Sequence, residues 1–195
     1  TRDSVRWLPA LLRALGEQTL RVPIVAVDAG SSDGTPDLLR QAAGAGGLTV
    51  VEAREPGSFG GAVRAALAAL AATDGPDGPD GGPDWLWLLH DDAEPEPAAL
   101  EHLLACGVSA PDVGVAAPLL LQPRRRGVGT LVGEFGRTVT TTGLVVGAAP
   151  EGVLDQGQFE RGPVLGASTC GLLVRSAVWE ALGGFDPARP GSVQG

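Results

Sequence analysis

The sequence predicts an α/β domain, with a mostly parallel sheet flanked by helices and a smaller irregular, antiparallel C-terminal part. Three observations predict it. First, the β-branched run Val25-Ala26-Val27 ends in Asp28 and the loop Ala29-Gly30-Ser31-Ser32-Asp33-Gly34, and a helical pattern follows. That places Asp28 at the carboxyl end of a buried parallel strand, where open α/β sheets bind ligands. Second, Trp85-Leu86-Trp87-Leu88-Leu89 leads in the same way into His90-Asp91-Asp92. Third, helical and strand patterns alternate up to about Val113, which implies parallel strands joined by right-handed crossovers.

The elements follow in order. Val5, Leu8, Leu11, Leu12 and Leu15 recur at helical spacing, so a helix spans about Trp7–Gly16, with Pro9 in its first turn. Val22–Asp28 reads as a strand. Pro36 opens a helix to about Ala43, capped by Asp33 or Thr35, and Gly44-Ala45-Gly46-Gly47 ends it. Leu48–Glu52 is a short strand, and alanine-rich Ser58–Ala72 is a packed helix. Asp74–Asp84 is a Gly/Pro/Asp loop, Asp84–Leu89 a strand, and Pro97 opens a helix to about Ala105. Beyond it, Val113–Leu121 reads as a strand, Leu131–Ala149 as hairpin-like pieces, Val164–Val174 as a strand and Ser176–Leu182 as a short helix.

At 195 residues, 44% hydrophobic and 19% charged, the chain is globular rather than disordered and fits one domain. A net charge of −9 argues against binding to nucleic acid, which needs a basic face. A diphosphate remains compatible with that charge if a divalent cation lies between. All 14 basic residues are arginine; lysine and asparagine are absent, and Ile24 is the only isoleucine, a composition expected of GC-rich coding. No site can therefore rely on Asn, Lys or Tyr, and a Lys-dependent P-loop is excluded. Cys106 and Cys170 stand apart without metal-type spacing, and no signal-like segment is present. Both features point to the cytoplasm, with membrane association through segments outside this chain left open. Carboxylates at two strand ends suggest a site for a metal and a sugar nucleotide.

Four blocks, in order, carry a resemblance to a known family. They are Val27-Asp28-Ala29-Gly30-Ser31-Ser32-Asp33-Gly34-Thr35; Glu55-Pro56-Gly57-Ser58-Phe59-Gly60-Gly61-Ala62-Val63-Arg64; His90-Asp91-Asp92-Ala93-Glu94-Pro95; and Arg175 through Trp179 to Gly183-Gly184-Phe185-Asp186-Pro187. Together they resemble family 2 glycosyltransferases with the GT-A fold, a Rossmann-like sheet. Within that family the chain is most similar to actinobacterial rhamnosyl- or galactofuranosyl-transferases that build cell-envelope polysaccharide.

The resemblance implies metal-dependent, inverting transfer of a sugar from a UDP-, dTDP- or GDP-sugar to a glycan or lipid-linked acceptor. It implies one domain over residues 1–195, with a nucleotide-sugar-binding half at 1–112 and an acceptor-side half at 113–195. Asp92 matches the second acid of the family's Asp-x-Asp motif and is the expected ligand for Mn²⁺ or Mg²⁺. His90 stands in place of the first acid, facing the ribose or the metal; its imidazole suits Mn²⁺ better than Mg²⁺. Asp91 is placed on the sugar or a backbone amide.

Asp28 is the expected acceptor of hydrogen bonds from base or ribose, with Ser31 beside it; the alternative is an Asx turn closing the Gly30-Ser31 loop. Asp33 reads as a helix cap. Arg64 could reach a phosphate or lie on a solvated face, and Arg124-Arg125-Arg126 could meet an anionic acceptor or simply form an exposed loop. Trp85, Trp87 and Trp179 read as core, with Trp179 and Asp186 on the acceptor side.

The family also has a strand before its first helix and a catalytic acidic pair after Gly-Gly-Phe-Asp. The expectation is therefore a piece truncated at both ends, with the base beyond Gly195. Two other readings stay open: a non-catalytic GT-A-like binding domain, and a nucleotidyltransferase.

Overall fold

The computed structural model describes residues 1–53, 58–72, 82–122 and 129–185. Helix α1 (Leu8–Gly16) carries Pro9 in its first turn, where a missing N–H costs no helical bond. Strand β1 (Ile24–Asp28), helix α2 (Thr35–Gly44) and strand β2 (Leu48–Glu52) follow. β1 and β2 pair in parallel, with Ile24 opposite Leu48 and Asp28 opposite Glu52. Leu8 and Leu11 of α1 bury with Leu39 of α2, and Ala26, Leu48 and Val50 pack against them. Two helices thus cover one face of the parallel pair, and α3 (Phe59–Ala72) also packs against it.

The second sheet shows the period of two that separates strand faces. In β3 (Trp85–Leu88), Trp85 and Trp87 pack with Leu100 and Leu103 of α4 (Ala99–Val108). Leu86 and Leu88 pack the other way, against Phe59, Val63 and Leu67 of α3. β9 (Leu172–Arg175), a late arrival in the chain, lies between β3 and β4 (Val115–Ala116) and runs antiparallel to both. Its Leu173 faces α4, while Leu172 and Val174 face α3 and Trp179 of α5 (Ser176–Ala181). Between β4 and β9 the chain forms antiparallel pairs, β5 (Leu120–Leu121) with β6 (Val132–Glu134) and β7 (Arg137–Val139) with β8 (Val145–Gly147).

This is the α/β architecture that the alternation of elements predicts, with antiparallel pieces concentrated toward the C-terminus. Several details differ. The predicted strand Val113–Leu121 splits into β4 and β5, which belong to different sheets, because Pro118 between them has no N–H to pair. The predicted strand Val164–Val174 shrinks to β9; its first part holds Gly166 and ends at Gly171, whose φ of +80° does not fit a strand. Val22 and Pro23 precede β1 rather than joining it. β3 pairs with β9 rather than extending the parallel pair. α4 starts two residues after Pro97 and continues to Val108. The Gly/Pro/Asp loop from Asp74 lies outside the described residues up to Gly81, as does Arg124-Arg125-Arg126. Among the described residues no helix is long and apolar enough to cross a membrane.

Two substitutions test this packing. A Cβ on Gly107 would lie 2.6 Å from Cη2 of Trp85, whose ring is also held by the Arg175 guanidinium at 4.3 Å. Gly107→Ala should therefore destabilise by about 1–2 kcal/mol, because overpacking outweighs a helix-propensity gain of at most about 1 kcal/mol. Leu173→Ala, at a position only 1% exposed, should cost about 2–5 kcal/mol. Urea midpoints of the two variants check both values.

Candidate functional site

The carboxyl ends of β1 and β3 come together around the first residues of the chain. Thr1 lies alongside β1, its backbone nitrogen donating to Val27 O at 2.6 Å and its carbonyl accepting from Ala29 N at 2.9 Å. Its backbone nitrogen lies near the carboxylates of Asp91 and Asp28. Thr1 Oγ1 is buried and has no hydrogen-bond partner among the described residues. Asp91 Oδ2 accepts from the Arg2 amide at 3.2 Å and from the Ser4 hydroxyl. One short segment therefore bridges the two strand ends that the sequence singles out.

The loop after β1 is laced by its own polar side chains. Asp28 is 6% exposed, and its Oδ1 accepts from Ser31 N at 3.1 Å and from Ser31 Oγ at 2.6 Å. Ser31 Oγ in turn accepts from Asp3 N at 3.0 Å, and Asp3 Oδ1 accepts from Ser32 N at 2.7 Å. Asp3 makes that contact from a φ of +50°, uncommon for a residue with a side chain. Asp33 Oδ1 accepts from Thr35 N at 2.9 Å, and its Oδ2 accepts from Val5 N at 3.1 Å. Asp33 thus ties the first residue of α2 to the segment before α1; it is not the cap itself, since the N-cap position falls on Gly34, which has no side chain to bond with. Thr35 is fully buried, and its Oγ1 accepts from Ser4 N at 2.8 Å.

After β3 the environment changes. His90 Nε2 lies 2.7 Å from Thr169 Oγ1, and the Phe59 ring packs on the imidazole at 5.0 Å between centroids. From Phe59 the aromatic contacts run on to Phe185 at 5.8 Å and then to Trp179 at 4.9 Å, edge-on. Cys170 follows Thr169; burial raises its thiol pKa first, and the charges of Asp92 and Glu134 raise it further. Asp92 itself is exposed and has no hydrogen bond or ion pair among the described residues.

A glycosyl transferase family 2 profile matches residues 2–116, more than half of the chain and all of the strand-end loops just described. The chain belongs to glycosyl transferase family 2. The chain is also similar to solved structures. S. aureus TarS 1–349 in complex with UDP shares 16% identity over 98% of this chain and 50% of its own, with a TM-score of 0.59. The same TarS segment alone gives 16% identity, the same coverage and a TM-score of 0.55. A Pyrobaculum calidifontis mannosyltransferase with GDP-Man and Mn²⁺ is 25% identical over 59% of this chain and 32% of its own, with a TM-score of 0.48. No curated protein matches. The chain spans half or less of the length of the solved chains it matches. The two TarS likenesses, at that identity, speak for the fold alone.

Within this family 2 domain the structure brings Asp28, Ser31, His90 and Asp91 into one neighbourhood, with Asp92 beside Cys170. Arg64 lies exposed on α3 and joins none of these contacts. Trp179 packs on Leu86, Leu88 and Val174, as core. Asp186 and Glu55-Pro56-Gly57 lie outside the described residues.

Thr169 and Ser4 escape sequence reasoning. A strand expected over Val164–Val174 hides the loop that carries Thr169, although Ser168-Thr169-Cys170-Gly171 is a turn-like run. Ser4 sits in a short polar stretch ahead of α1, with nothing in its spacing to mark it.

Asp33 generates a pH prediction. The neighbouring Thr35 hydroxyl is the main cause of its lowered pKa; burial opposes it, and the Thr35 and Val5 amides add to it. A carboxyl depressed in the folded state stabilises the fold at neutral pH, and that contribution is lost as pH falls through the lowered value. Wild type should therefore lose an increment of stability between about pH 5 and about pH 2 that Asp33→Asn does not lose. Urea midpoints across that range measure the difference.

Proposed function

We propose that this family 2 domain binds a nucleotide sugar at the carboxyl ends of β1 and β3. It serves divalent-cation-dependent, inverting transfer of the sugar to a glycan or lipid-linked acceptor, in the making of cell-envelope polysaccharide. The observation that carries this reading is the state of Asp92. Asp28, Asp91 and Asp33 each accept hydrogen bonds from the protein, whereas Asp92 is exposed and uncommitted among the described residues. A carboxylate left free at the end of a buried strand, in a ring of satisfied ones, is placed to meet a ligand.

The donor set decides what kind of cation fits. Among the described residues no group of three or more His, Cys, Asp or Glu gathers to hold a metal. Asp92 with His90 offers too few donors for a protein-only cage. It fits a cation that keeps open positions for phosphate oxygens, and the imidazole favours Mn²⁺. A bound cation would neutralise charge on the departing diphosphate.

The remaining roles belong to the chain itself. Asp28, oriented by Ser31 through Oδ1, offers Oδ2 to a base or ribose donor. His90 meets the ribose or the metal. Phe59, tilted against the His90 ring, keeps water from one side of the site. Inversion follows if the acceptor hydroxyl attacks the anomeric carbon from the face opposite the diphosphate in one displacement.

Calorimetric titration with UDP, GDP and dTDP, with and without Mn²⁺, tests the reading. One nucleotide should bind in a Mn²⁺-dependent way, and Asp92→Ala should weaken it by roughly tenfold or more, about 1.4 kcal/mol. A folded chain that binds none of them, or binds equally after Asp92→Ala, would overturn the proposal.

A further inference from the structure

The loop before β9 is more tightly framed than a connection needs. Glu134 Oε1 accepts from Ser168 N at 2.9 Å, and Glu134 is itself held by Arg137 through two hydrogen bonds of 3.1 Å. Cys170 N donates to Ser168 Oγ at 3.2 Å, and Gly171 N donates to Leu88 O at 2.9 Å. Trp87 Nε1 donates to Gly171 O at 3.2 Å. Gly171 has a φ of +80°, and a Cβ there would lie 2.8 Å from Cγ of Pro118. Position 171 therefore accepts only glycine. Between these anchors stands Thr169. Its side chain has one hydrogen-bond partner among the described residues, Nε2 of His90, which lies 79 residues away in sequence.

An imidazole differs from a carboxylate in that its two nitrogens are unequal. A neutral ring donates from one and accepts at the other, so a partner on one nitrogen decides what the other offers. Metal-ligating histidines are commonly held this way, with the other ring N–H given to an oxygen behind them. Here Nε2 is engaged by Thr169, Nδ1 has no hydrogen bond among the described residues, and Phe59 limits rotation of the ring.

We infer that Thr169 is a positioning residue for the donor site: its Oγ1 accepts the His90 Nε2–H, so that Nδ1 presents a lone pair to the bound nucleotide sugar. The inference rests on the donor-site reading given above. It makes the acceptor-side half of the chain, through the loop before β9, responsible for the state of a donor-site side chain. The neighbouring Ser168 hydroxyl cannot substitute, because it is turned back onto Cys170 N.

The test uses the chain's small histidine content. Only His90 and His102 are present, and His102 is exposed on α4, so it serves as the internal reference in ¹⁵N NMR. Wild type should show a slowly exchanging His90 Nε2–H resonance, and Thr169→Ser should keep it. Thr169→Val, similar in shape but without the hydroxyl, should lose it and weaken nucleotide binding by about tenfold, while Thr169→Ser restores binding. A His90 ring proton unchanged in Thr169→Val would overturn the hold. Loss of that proton with nucleotide affinity intact would overturn its role in ligand binding. A wild-type chain that shows the protected proton but binds no nucleotide would overturn the donor-site reading, and with it the ligand role, while leaving the hold on His90 standing.

Discussion

The insertion of β9 between β3 and β4 is the constraint on which the rest of this structure depends. This four-residue strand buries Leu173 against α4 and Val174 against α3, so it supplies core to both faces of the sheet at once. Its antiparallel register also decides what its two ends meet. Arg175, opposite Trp85, stacks on that ring and donates to the carbonyls of Gly107 and Val113, tying the end of α4 to the sheet. Leu172, opposite Leu88, brings the preceding loop to the end of β3, beside His90. A one-residue slip would exchange the two faces and carry Thr169 away from His90.

The loops at the strand ends divide their acidic residues between two tasks. Asp3, Asp28, Asp33 and Asp91 satisfy backbone amides and hydroxyls, and in doing so shape the loops. This arrangement suits a chain without lysine or asparagine, in which short carboxylates and hydroxyls must make the turns. Asp92, past the last strand residue, takes no part and stays available. Among the acids of these two loops, Asp3, Asp28, Asp33 and Asp91 are held by the protein, and Asp92 has no hydrogen bond or ion pair among the described residues.

Much of this could be read from sequence because the relevant physics is local. The leucine spacing in α1 marks a buried stripe, and Leu48–Glu52 coincides with β2 to the residue. Asp28 and His90-Asp91-Asp92 stand out because an apolar run ending in acids places those acids at a strand end. What periodicity cannot carry is pairing between distant segments. Nothing in Trp85–Leu88 shows that its neighbour is Leu172–Arg175 rather than β1. The same non-locality hides Thr169, and the apolar texture of Val164–Val174 masks the glycines that break it. The sequence left Asp28 between two readings. The structure shows the Asx-like turn, with Oδ1 bonded to Ser31 N and Oγ, and leaves Oδ2 without a bond among the described residues.

A crystal structure of the chain grown with a nucleoside diphosphate and Mn²⁺ tests the central claim most directly. The account places the base or ribose on Asp28, the ribose or the cation at His90, and the cation on Asp92 with the diphosphate beside it. A nucleotide bound elsewhere, or a cation that leaves Asp92 free, would contradict it.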